Sequence, residues 1–198
     1  MHIASSRSSV LRMLSLMCLV AGLATATAAR AAMTTYIANL DGPSEASPNA
    51  SPGSALARLD VDPATHLMRL QVTFSGLLGT TTAAHIHAPT SIAGTGAAGV
   101  ATMLPSFAGF PLGVTAGSCD QTYDMTLSAS FNPTYVTNNG GTMASAELAL
   151  YQAIADGKAY LNIHSSVFGG GEIRGFFRID NPTAARGNSW GRIKSLYQ

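Results

Sequence analysis

The sequence is short of charge and of cysteine. Only 11% of its 198 residues are Asp, Glu, Lys or Arg, against roughly a quarter in ordinary soluble domains. The formal net charge is +1, so nothing here draws nucleic acid or an anionic membrane surface. The two cysteines are Cys18 and Cys119. Cys18 lies in an N-terminal segment expected to be removed, and a lone Cys119 cannot form an intrachain disulfide. Its Gly-Ser-Cys-Asp setting reads as a loop with an incidental thiol. Also missing are a Cys-x-x-Cys pair, a Gly-x-Ser-x-Gly elbow, a phosphate-binding Gly-x-x-x-x-Gly-Lys-Ser/Thr and a dinucleotide fingerprint, which excludes the enzyme classes those motifs serve. Asp60, Asp62, Asp120 and Asp124 alternate along strands or loops without the spacing of a calcium-binding EF-hand. The apolar run Met13 to Leu23 falls short of the ~20 residues of a spanning helix.

That same run reads as the centre of an export signal. Arg7 and Arg12 precede it, and Ala29-Arg30-Ala31 resembles a cleavage site before Ala32. The expected division is a signal peptide over 1–31, one domain over 32–180 and a flexible tail over 181–198, in a protein exported to the periplasm or the cell exterior. Removing Arg7, Arg12 and Arg30 leaves 8 basic against 10 acidic groups, a net charge of −2. No membrane span is then expected.

What the chain has in quantity is apolar residues, 46%, together with 20 Gly and 9 Pro. A sufficient core combined with frequent turns points to an all-β protein. Residues 34–40 form a first predicted strand, and 41–54 a Pro/Ser/Gly-rich loop. Leu59 and Val61, then Leu70, Val72 and Phe74, alternate with polar residues on either side of Asp62-Pro63-Ala64-Thr65-His66, which predicts a hairpin with His66 exposed in its turn. A further strand ends at His87, and a short one is expected over 100–104. A long loop over 105–120 leads to a strand carrying Tyr123, Met125 and Leu127. Ala144 to Asp156 changes to helical spacing, with Ser145 as N-cap and Gly157 as terminator. Strands over 158–165 and 172–179 follow. Seven or eight strands with one short helix suit an antiparallel β-sandwich or Greek-key barrel.

The chemistry concentrates in Ala84-His85-Ile86-His87 and Leu161-Asn162-Ile163-His164. Residues two apart on a strand share a face, so His85 and His87 point together while Ile86 points to the core. His164 shares its face with Asn162 and Tyr160. Three imidazoles meeting on one sheet surface supply three neutral nitrogen donors, a number that suits copper or zinc. The alternative is a hydrogen-bonded structural cluster, with Glu172 and Arg174 forming an ion pair on the surface.

Several stretches resemble the CHRD domain, the module named after chordin: Ala84-His85-Ile86-His87 followed by a Gly/Ala-rich loop, Gly157-Lys158-Ala159-Tyr160-Leu161-Asn162-Ile163-His164, Gly170-Gly171-Glu172-Ile173-Arg174-Gly175, and the opening Leu40-Asp41-Gly42-Pro43-Ser44-Glu45. The resemblance covers about 34–180 and implies an exported single-domain protein. The growth-factor binding of the animal namesake does not carry over to a lone module. A looser likeness is to copper/zinc superoxide dismutases, which also place His-x-His on one strand and a further copper-binding His on another. It implies a possible dismutase-like fold, with His85, His87 and His164 as ligands of a copper ion and Arg174 as a catalytic residue near an open position. The metal-bridging histidine and the zinc cluster have no counterpart here. Three functions follow: an exported copper-binding module, a copper-only dismutase-like enzyme, or an adhesive surface protein that contacts an extracellular protein or matrix.

Overall fold

A computed structural model describes residues 32–181. The expected signal peptide and nearly all of the expected tail lie outside the described residues. The strands are β1 (Thr34–Asp41), β2 (Ser54–Asp62), β3 (Leu67–Ser75), β4 (Thr81–His87), β5 (Gly117–Asp124), β6 (Tyr160–Ser165), β7 (Ile173–Phe176) and β8 (Arg178–Ile179). They form one sheet in the order β4-β6-β7-β1-β2-β3-β5, with β8 paired to β1. Every pairing is antiparallel, and the sheet curls into a half-barrel. The expected antiparallel all-β class is the class found.

Alternation builds the core. Leu59, Leu70, Phe74, Ile86, Leu161, Ile163 and Ile173 are buried and belong to one cluster, which the inward residues Leu150 and Ile154 of helix α2 (Met143–Ala155) join. The predicted hairpin is present, with β2 and β3 in register from Ser54↔Ser75 to Asp62↔Leu67.

Four boundaries differ from the sequence reading. Residues 100–104 form no strand; Val100 and Thr102 make isolated bridges to His87 and Phe131, because this segment zigzags along the free edge of β4 rather than pairing continuously with it. Ala101 N donates to the Ile86 carbonyl at 2.9 Å, and Ile86 N donates to the Thr102 hydroxyl. β5 starts at Gly117, so Cys119 sits buried on a strand and not in a loop. It ends at Asp124, whose carboxylate accepts from Thr126 N and Oγ1 and turns the chain. α2 is capped by Thr142, in a reciprocal box with Ser145. It is preceded by a six-residue helix, α1 (Pro133–Asn138), capped by Asn132. Helical spacing could not reveal α1, since six residues make fewer than two turns. Finally, the strand expected over 172–179 is divided between β7 and β8.

The pairing that matters for function is β4 with β6. It sets Ala83 opposite His164, His85 opposite Asn162 and His87 opposite Tyr160. β7 continues the rows with Arg174 beside Asn162 and Phe176 beside Tyr160.

Candidate metal centre

Side chains directly opposite or diagonal on one face of an antiparallel pair lie within reach of each other. The register therefore brings His85, His87 and His164 together, as their spacing predicts. Their ring centroids lie 5.2 to 5.9 Å apart, and one nitrogen from each ring falls within 4.8 Å of the other two. Ile86, between the first pair, is fully buried in the core.

The other nitrogen of each ring is held by a loop carbonyl. His85 Nε2 lies 2.7 Å from Pro105 O, His87 Nδ1 2.9 Å from Ala98 O, and His164 Nδ1 3.0 Å from Gly169 O. A carbonyl oxygen only accepts, so these three nitrogens carry the hydrogens. In the neutral rings His85 Nδ1, His87 Nε2 and His164 Nε2 are then bare lone pairs. Those same three atoms are buried and have no hydrogen-bond partner. Burial also holds the rings neutral: it pushes His87 down to about 4, helped by the neighbouring histidines and Arg174, and it lowers His85 and His164.

Three converging lone pairs with no donor form an unfavourable arrangement without a cation. Metal–nitrogen bonds of about 2.0–2.1 Å set three donors roughly 3.3–3.6 Å apart. Each ring would thus have to move inward by less than about 1 Å to close on an ion.

Around the triad, Tyr160 stacks on His87 at 4.9 Å with the rings 4° from parallel. Arg174 lies over Tyr160 at 4.9 Å and over Phe176 at 5.5 Å. The expected surface pair of Arg174 with Glu172 does not form. Arg174 is 5% exposed; it donates through Nε to Ser44 O and through Nη1 to Gly96 O, and stands 4.0 Å from Glu45. These bonds tie the 42–53 loop to the loop after β4. Glu172 is buried elsewhere, accepting from Ser51 Oγ at 2.6 Å and from the amides of Leu78 and Gly79. Burial pushes the Glu45 carboxyl up to about 7, against the pull of Arg174.

His66 is half exposed in its turn, as expected, though its Nδ1 also meets Glu147 Oε2 at 2.8 Å and anchors the hairpin to α2. Sequence reasoning missed the three carbonyls and Glu45. The carbonyls leave no mark in a sequence; Glu45, a single acid in a loop of Pro, Ser and Ala, was a readable signal.

Neither the curated proteins nor the solved structures contain a match to this chain. The model of the CHRD domain matches residues 36–177, a span that begins in β1, ends just after β7 and includes all three histidines. The chain belongs to the CHRD domain family.

Proposed function

We propose that this protein is an exported, non-catalytic metal-binding module that holds a copper ion through His85, His87 and His164, at the cell envelope or outside the cell. One observation carries the reading: three buried ring nitrogens face one another without partners while their opposite nitrogens are fixed by carbonyls. Backbone carbonyls that orient ligand histidines are the ordinary support of a metal site. Imidazole nitrogens are donors that suit copper. The N-terminal Arg residues, apolar run and Ala-x-Ala site support export. A dismutase would want a positive group free to meet an anion, and Arg174 is instead committed to two carbonyls and to Glu45, which favours the non-catalytic reading.

The test is copper titration of the purified chain, with elemental analysis after gel filtration. One copper per chain is expected. His85→Ala, His87→Ala and His164→Ala should each weaken binding at least 100-fold while circular dichroism stays unchanged. Copper no higher than in a control protein, or equal retention by all three variants, refutes the assignment.

A further inference from the structure

We infer, on the basis of that reading of the triad, that the site is selective for a monovalent ion in three-coordination, copper(I), over zinc(II) and copper(II). The first ground is charge. All three donors are neutral imidazoles, and every opposite N–H is given to a neutral carbonyl. Among the described residues no carboxylate stands behind a ring to share its proton and offset a second positive charge. Among the described residues no Cys, Asp or Glu joins the donor set. Among the described residues the charged group packed against the ring stack is a cation: Arg174 covers the Tyr160 ring, which lies flat on His87. Glu45 faces the guanidinium at 4.0 Å and offsets it in part.

The full charge of the ion therefore stays in a pocket where His85 is 6% and His87 9% exposed. The cost of burying an ion rises with the square of its charge, so a dication suffers about four times the penalty of a monocation there.

Donor number is the second ground. Zinc takes four ligands in a tetrahedron, and copper(II) prefers a tetragonal set of four or more. The protein offers three nitrogens and shields two of the rings from water. A filled-shell monovalent copper ion accepts three nitrogens in a plane without a fourth.

The test is an anaerobic competition on the purified chain. Copper(I) is titrated against bathocuproine disulfonate, with zinc(II) and copper(II) titrated in parallel against a chromogenic chelator. Copper(I) should bind one per chain at least 100-fold more tightly than either dication, and X-ray absorption should count three nitrogens. Arg174→Gln should narrow the copper(I)-to-zinc(II) ratio about tenfold, and Arg174→Lys should restore it. Should Arg174→Gln fail to fold, the wild-type competition alone decides. Dications held as tightly as copper(I), and released by His85→Ala, would overturn the selectivity while leaving the metal centre standing. Failure to bind any of the three ions would overturn both.

Discussion

At the scale of single residues, two side chains set the terms: a histidine with one nitrogen spoken for, and a buried glutamate with every oxygen in use. Glu172 is the second kind. Burial alone would raise its pKa, but hydrogen bonds from Ser165, Ser51, Leu78 N and Gly79 N outweigh it and hold the carboxyl below its ordinary value. Because the folded pKa is lower than the unfolded value of 4.5, the ionised group adds stability above about pH 4.5, and that stability is lost as the pH falls below it. Glu172→Gln should cost about 2–4 kcal/mol at pH 7, since an amide NH2 would face N–H donors. Urea midpoints at pH 7 and pH 4 check this: the variant should lose less on acidification than the parent, and a parallel loss in both would contradict it. At this scale the sequence was half legible. Two-residue spacing showed where His85, His87 and His164 would point. It could not show that Arg174 meets Glu45 across 129 positions rather than its near neighbour Glu172, because strand alternation places Glu172 and Arg174 on one side without saying which loop folds over each.

Among the elements, β7 approaches β1 closely at Gly175. A Cβ on Gly175 would lie 2.2 Å from Asn39 O and 2.7 Å from Asn39 C, both backbone atoms of β1. Backbone held in a ladder cannot give way as a flexible side chain can. Gly175→Ala should therefore cost about 3 kcal/mol or more and loosen Arg174, which a fall of many degrees in thermal midpoint would register. An unchanged midpoint would mean that β7 tolerates displacement. A contrasting case lies at the start of α2. Thr142→Ala removes a capping box and should cost about 1 kcal/mol with copper affinity untouched, since α2 contributes no ligand; a change in affinity would contradict that independence. β2 and β3, with period-two alternation, could be read directly, while β4 and β6, buried almost throughout, were marked by the spacing of their histidines. β5 could be read only around Tyr123 and with its bounds displaced, because its outward residues are so polar that only Cys119 and Tyr123 mark the inner side.

For the whole molecule, the three carbonyl partners come from the stretch after β4, which supplies Ala98 and Pro105, and from the β6–β7 loop, which supplies Gly169. Drawing the rings inward on an ion must act on both segments at once. Copper binding should slow amide hydrogen exchange over 96–106 and 166–171 relative to β2 and β3. It should also raise the stability by about 2.7 kcal/mol at a free ion concentration one hundred times the dissociation constant. Uniform slowing across the sheet, or none, would show that these loops are not coupled to the site. The all-β class and the meeting of the three histidines on one sheet surface were legible from composition and motif. The closure of eight strands into one curled sheet was not, because which strand neighbours which depends on long-range pairing such as β3 with β5 that no local pattern encodes.

The division of the ligands between β4 and β6 has a consequence for timing. Before β6 has docked, β4 offers only a two-toothed grip with no shelter from solvent, and the third tooth is still a distant stretch of slack polymer. Under the proposed export and copper binding, a chain threaded unfolded through a translocation pore could not carry its ion as luggage. It would collect one on arrival, and its metal content would then report on the copper supply of the place where it folds.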